Sequence, residues 1–162
     1  HTNIIGRRLD REVINLGFSG NALLDMEIAE LMASVDDPGL YVLDYVPNAS
    51  ADAIDQVGEH FFRRIRDAHP EVPVVFIEDV IFPHTIFDNK ILEEVTKKNL
   101  AQKRLFKKLK QSGEKRIYYI SAEGMIGDDG EATVDAIHFT DLGAMRYVDH
   151  VLPVIKRALH VL

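Results

Sequence analysis

Short apolar runs suited to strands alternate along this chain with longer stretches striped at helical spacing, and that alternation leaves few folds open. Leu40 to Val46 (LYVLDYV, stopped by Pro47), Val74 to Ile77 after Pro73, and Ile117 to Ile120 are rich in β-branched and aromatic residues. Glu12 to Leu16 (EVINL), ending at Gly17, is a fourth strand candidate. Ile4, Ile5 and Leu9 give one helix face running into Asp10-Arg11, and Leu24, Ile28, Leu31 and Val35 give another, closed by Pro38-Gly39. Ile54, Val57, Phe61, Ile65 and Ala68 mark a helix that ends at His69 before Pro70. Ile91, Leu92, Val95, Leu105, Phe106 and Leu109 stripe a long helix that Ser112-Gly113 terminates. Leu142, Met145, Val148, Leu152, Ile155 and Leu159 form the last helix, which Pro153 is expected to bend. Strands apolar on both faces, each followed by a helix, predict an α/β fold with a parallel sheet covered on both sides. No repeat, linker or second domain breaks residues 1–162, so one domain is expected.

The charge balance narrows the partners. Net charge is −7, from 19 basic and 26 acidic residues, which repels phosphate backbones and argues against nucleic acid. The basic residues from Lys97 to Lys110 alternate with apolar ones at helical spacing and read as a solvated helix face. No apolar run approaches the ~20 residues that cross a bilayer. There is no cysteine, which excludes disulfides, thiol nucleophiles and cysteine-based zinc sites. His1-Thr2-Asn3-Ile4-Ile5 is neither an initiator methionine nor a signal peptide, so any export signal is expected upstream. No pair of histidines has helical or finger spacing, and no metal or cofactor is expected.

In parallel sheets ligands bind beyond the carboxyl ends of the strands. The segments that matter are therefore 17–21, 47–49, 78–87 and 121–138, where Gly, Asn, Asp and His concentrate. The sharpest of them is Thr133-Val134-Asp135-Ala136-Ile137-His138-Phe139-Thr140-Asp141-Leu142-Gly143. An Asp three residues before a His, in a loop leading into a helix, can aim its carboxylate at the imidazole and fix its tautomer. Thr140 or Asp141 can cap the helix. In the loop after Ile77, His84 could line a pocket among Val80, Ile81 and Phe82. Asp128-Asp129-Gly130-Glu131 lacks the alternating ligands of a calcium loop and reads as a turn.

The Asp-x-x-His ending resembles block V of the SGNH (GDSL-like) hydrolases, with Phe139 where the family usually has Pro. Asn15-Leu16-Gly17-Phe18-Ser19-Gly20-Asn21 is similar to block II, and Leu43-Asp44-Tyr45-Val46-Pro47-Asn48 to block III, with Val46 for the usual Gly and Ala49 for the Asp. The blocks stand in order along the whole chain. The resemblance implies a three-layer α/β/α domain with a flavodoxin-like parallel sheet. It also implies a serine esterase working through an acyl-serine without a cofactor. His138 would be the general base, Asp135 its orienting carboxylate, and Gly20 and Asn48 the oxyanion donors. Substrates would be small-molecule or carbohydrate esters, with O-acetyl sugars a candidate. The family's nucleophile lies in a block that matches nothing here and is expected upstream of His1. Ser19 reads as a turn residue, because Asn21 stands where a Gly-x-Ser-x-Gly elbow needs glycine. The family's first strand lies between its second and third, so the four candidates become strands two to five. An upstream segment or a second copy in a homo-oligomer is then expected to complete the sheet. Two other readings stay open: a non-catalytic α/β binding module with a dead site, and a metal-dependent phosphoesterase using His84, Asp79 and Asp128.

Overall fold

The computed structural model describes residues 1–161. Three parallel strands, β1 (Tyr41–Leu43), β2 (Val74–Ile77) and β3 (Ile117–Ile120), lie side by side in sequence order. Each crossover is helical, as parallel neighbours require. Helix α3 (Ala51–Ala68) joins β1 to β2, and α4 (Asn89–Gln111), preceded by a 3-10 turn at Pro83–Ile86, joins β2 to β3. Helix α1 (Thr2–Leu9) and helix α2 (Met26–Ala33) precede the sheet, and α5 (Asp141–Leu159) follows it.

The period-2 pleat divides the strand residues between two cores. Val74 and Phe76 of β2 pack with Tyr41, Leu43, Phe62, Ile65, Leu105 and Leu109 on the α3/α4 side. Val75 and Ile77 pack with Val148, Val151, Leu152 and Ile155 of α5 on the other side, where Ile4, Ile5 and Leu9 of α1 join them. Both faces of β2 are thus buried, which is why its sequence is an unbroken apolar run. Burial of a side chain such as Phe62 or Ile155 contributes about 1.5–3 kcal/mol. The result is the α/β/α layering expected from the sequence.

Helices α3, α4 and α5 begin where their caps dictate. The side chains of Ser50, Asp88 and Thr140 each accept a hydrogen bond from a first-turn N–H. The N-terminal quarter departs from expectation. Glu12–Leu16 forms no strand: Val13 and Ile14 are exposed, and the segment joins no ladder. Its β-branched residues favour extended chain, but a strand needs a partner along its edge. Leu24 is not helical either. It sits at φ 67°, buried against the core one residue before the Asp25 cap of α2, whose buried face is formed by Ala29 and Ala33 while Leu31 is exposed. The strand expected over 40–46 is regular only from Tyr41 to Leu43, because the chain turns at Val46–Asn48.

Candidate active site

Of the segments singled out above, 47–49, 78–87 and 121–138 emerge at the carboxyl ends of the strands, and 17–21 lies between α1 and α2. Between Ala132 and Thr140 the chain doubles back on itself. Thr140 N–H donates to Ala132 O (2.9 Å) and Val134 N–H to His138 O (2.8 Å), with Thr133 bridged to Phe139. Inside this loop Asp135 Oδ1 accepts the N–H groups of Ile137 (3.0 Å) and His138 (2.7 Å). That local turn forces Ala136 to φ 74°, a left-handed conformation rare for a residue with a Cβ. The other carboxylate oxygen, Oδ2, lies 2.6 Å from His138 Nδ1. The His138 hydrogen bond, with help from the two N–H donors, pulls the Asp135 carboxyl down to about 2. The imidazole itself is largely exposed, and among the described residues its Nε2 has no hydrogen-bond partner.

The loop is anchored to the body of the protein at three points. Thr140 Oγ1 donates to Glu131 O (2.9 Å) and accepts the Gly143 N–H (3.0 Å). Arg146 grips Asp129 with both terminal nitrogens (2.7 and 2.6 Å) and reaches Ile126 O (3.1 Å). Gly143 permits the closest approach: a Cβ there would sit 1.9 Å from Ala132 O.

Asn48 stands in the turn after β1, its backbone N–H bonded to Tyr45 O (3.0 Å). Its side-chain amide is exposed and makes no hydrogen bond among the described residues. The turn is brought to the His138 loop by a shared cavity of about 200 Å³ whose walls include Pro47, Asp79, Phe82, Ile91, Val95 and Ile137. Pro47 precedes Asn48 and Ile137 precedes His138. Gly20 lies at φ 70° in an exposed turn, where a Cβ would meet nothing within 4 Å, and its N–H has no acceptor among the described residues. It takes no part in that cavity wall. Two of the four expected site residues are thus bonded, a third is on a neighbouring turn, and Gly20 stands apart from the cavity.

Ser19 occupies the same turn as Gly20, which is held by Asn21 N–H to Phe18 O (2.8 Å) and Asn21 Nδ2 to Ser19 O (2.6 Å). The Ser19 hydroxyl makes no hydrogen bond among the described residues, in keeping with a turn position. The remaining serines are Ser34, Ser50, Ser112 and Ser121. The first three have local roles at helix ends, and no serine hydroxyl is bonded to His138. The His84, Asp79 and Asp128 of the phosphoesterase reading are not gathered: among the described residues no three His, Asp or Glu side chains form a metal-ligand group.

Buried polar groups that sequence reasoning missed support the strand ends. Asn99 of α4 clamps the backbone of Asp79, accepting its N–H (2.7 Å) and donating to its O (2.8 Å). Gln102, one turn on, accepts from Tyr45 OH (2.7 Å) and donates to Ile77 O (3.4 Å). Tyr147 OH donates to Asp44 Oδ2 (2.5 Å) across 103 residues of sequence. Burial raises the Asp44 carboxyl and, with Asp44 beside it, the Tyr147 phenol. The one available signal was the pair of amides at i and i+3 inside the apolar stripe of α4.

A model of the GDSL-like lipase/acylhydrolase family matches residues 1–156. No curated protein sequence matches the chain. Among solved structures, a protein of Bacteroides ovatus described as a GDSL-like lipase superposes with a TM-score of 0.89 at 32% identity, over 98% of this chain and 48% of its own. The salicylyl-acyltransferase of a tetracycline biosynthetic pathway superposes at 0.78 with 17% identity, over 99% of this chain and 49% of its own, a likeness of fold. The chain spans about half the length of either.

Proposed function

The chain belongs to the GDSL-like lipase/acylhydrolase family, and from that premise we propose that it carries the base and oxyanion donors of a serine-type ester hydrolase. The observation that supports this reading is the Asp135–His138 pair, with Oδ2 on Nδ1 and Nε2 left free. A carboxylate on Nδ1 holds the proton there and leaves the Nε2 lone pair facing outward, as a general base needs.

In this proposal His138 Nε2 takes the proton from a serine hydroxyl as its oxygen attacks the ester carbonyl. The developing oxyanion is met by the Gly20 N–H and an Asn48 side-chain N–H, each without a hydrogen-bond partner among the described residues. Bringing Gly20 to the other groups is part of the proposal. Collapse of the tetrahedral intermediate breaks the bond to the alcohol, which leaves with the proton from His138. Water then repeats the sequence on the acyl-serine. Asp135 stays ionised throughout, stabilising the transient imidazolium. The nucleophile is assigned to a serine N-terminal to His1, since none of the serines here fits the family's nucleophile block. The substrate is an ester of a small molecule or carbohydrate.

The test is made on the full-length protein. His138→Ala should lower kcat on an acetyl ester by orders of magnitude with the fold unchanged, and Asn48→Ala should cost roughly 10²–10³ in kcat. Wild-type turnover should be abolished by a fluorophosphonate. Undiminished hydrolysis by the His138 variant would overturn the assignment.

A further inference from the structure

The cavity beside His138 contains a carboxyl group that the mechanism does not use. Asp79 is 4% exposed, at the exit of β2, among the apolar walls Phe82, Ile91, Val95 and Ile137. Each oxygen of its neighbour Glu78 has a protein donor, the Tyr119 hydroxyl on Oε1 (2.5 Å) and the Ala122 N–H on Oε2 (2.8 Å). Asp79 is supplied differently. Its backbone is clamped on both sides by Asn99, while its carboxyl receives the Val80 N–H and no side-chain donor among the described residues. Lys98, which also lines the cavity, spends its ammonium on Pro47 O (3.1 Å). A carboxylate offers about four lone-pair positions, so Asp79, which lines the cavity, has accepting capacity to spare. Burial, opposed by Lys98 and aided by Asp44, pushes its pKa up to about 6.

A buried acceptor short of donors is costly unless a ligand supplies them. We propose that this cavity receives a hydroxyl-bearing part of the ester substrate, and that Asp79 accepts its O–H and so selects hydroxylated over purely alkyl esters. The inference rests on the esterase reading above and names its substrate class. At about 200 Å³ the cavity is below the ~300–1,000 Å³ of sites that enclose a drug-sized ligand, so it holds one group of a larger molecule. Of the other charged side chains on the cavity wall, the exposed Glu94 and the Lys98 ammonium offset one another, and the remaining walls are apolar, which favours a neutral hydroxyl over a cationic group. Sites built to bond a hydroxyl discriminate strongly against analogues that lack it, because the buried acceptor is then left unpaired.

Two measurements on the full-length protein test this. The first compares kcat/KM for a monoacetylated methyl glucoside and for cyclohexyl acetate. Asp79→Ala should reduce the ratio of the two at least ~30-fold, chiefly through KM, and the isosteric Asp79→Asn should restore part of it. An unchanged ratio, or a selective loss on acetylcholine instead, overturns the proposal. The second needs no turnover: methyl glucoside titrated into the His138→Ala protein should shift the Ile137 and Val95 methyl resonances saturably, and Asp79→Ala should abolish the shift. Saturable, Asp79-dependent binding in a wild-type protein that hydrolyses neither ester would keep the hydroxyl site at Asp79 and sink the esterase reading. Active hydrolysis without such binding would do the reverse.

Discussion

The two oxygens of Asp135 have separate duties, and a single substitution separates them. Oδ1 builds the turn by accepting two backbone N–H groups, and Oδ2 meets His138 Nδ1. In Asp135→Asn the amide oxygen can still accept the backbone donors, but an NH₂ then faces Nδ1. The imidazole must present a lone pair there and carry its proton on Nε2, which cannot then act as a base. The expected outcome in the full-length enzyme is a fall in kcat of about 10²–10⁴ with an unchanged far-UV spectrum. Asp135 and Asp79 also have opposite pH signatures. The folded-state pKa of Asp135 is lowered to about 2, so its stabilising effect is present above its ordinary value of 3.8 and is lost as pH falls toward 2. That of Asp79 is raised to about 6 from 3.8, so the folded protein binds more protons between those values and loses stability as pH rises through them. The cost above pH 6 has a ceiling of about 3 kcal/mol. Asp79→Asn removes the ionisable group, so its stability relative to wild type should be greater at pH 7.5 than at pH 4.5 in urea melts. A gap that does not vary with pH would show that Asp79 is not ionising in a buried setting.

At the level of elements, the first turn of α5 and the His138 loop form one mechanical unit. Thr140 ties the two together, and Gly143 leaves no room for a methyl group against Ala132 O. Gly143→Ala should therefore push the loop away from α5. A destabilisation of about 1–3 kcal/mol is expected in thermal or urea melts, together with loss of kcat. Thr140→Ala should cost about 1 kcal/mol through the lost cap. The same contrast between local and distant causes explains what the sequence made legible. The bounds of α3, α4, β2 and β3 were readable because periodicity and stop signals such as His69-Pro70 and Ser112-Gly113 act over a few residues. The Asp135–His138 bond was readable because three residues of spacing suffice for it. The Asn99 clamp on Asp79 and the Tyr147–Asp44 bond join residues 20 and 103 apart, and no local pattern names either partner, even though the amides inside the apolar stripe of α4 mark Asn99 itself. EVINL misled because strand propensity describes a segment, whereas pairing depends on what lies beside it.

For the whole molecule, the unmet demand lies at the β1 edge of the sheet. Tyr41 N–H donates to Pro73 O, and in a parallel ladder alternate residues serve alternate neighbours, so the N–H and C=O of Val42 face the side with no strand. Val42 is 38% exposed, whereas its counterparts in β2 are buried. Val13, Ile14 and Phe18 are exposed on a segment that joins no ladder among the described residues. Parallel sheets are ordinarily covered on both faces, and an open apolar edge is a template for another strand. A strand lying against β1, with residues 12–16 along its far side, would satisfy both segments at once. It would also bring Gly20 toward the Asn48 turn, since both follow directly from the segments it would bridge. Either residues outside 1–162 or a second copy of the chain can supply that strand. Hydrogen exchange distinguishes a filled slot from an open one. In a polypeptide of residues 1–162 kept monomeric, the Val42 amide should exchange rapidly while Val75 and Phe76 of β2 are protected. In the full-length protein, or in a dimer if one forms, Val42 should be slowed by at least two orders of magnitude, about 2.7 kcal/mol of local protection. The monomeric polypeptide should show no fluorophosphonate-sensitive esterase activity, whereas the full-length protein should. Slow exchange at Val42 in the monomer would mean that residues 1–162 close their own sheet, and fluorophosphonate-sensitive turnover by the same monomer would place the nucleophile among the serines already present.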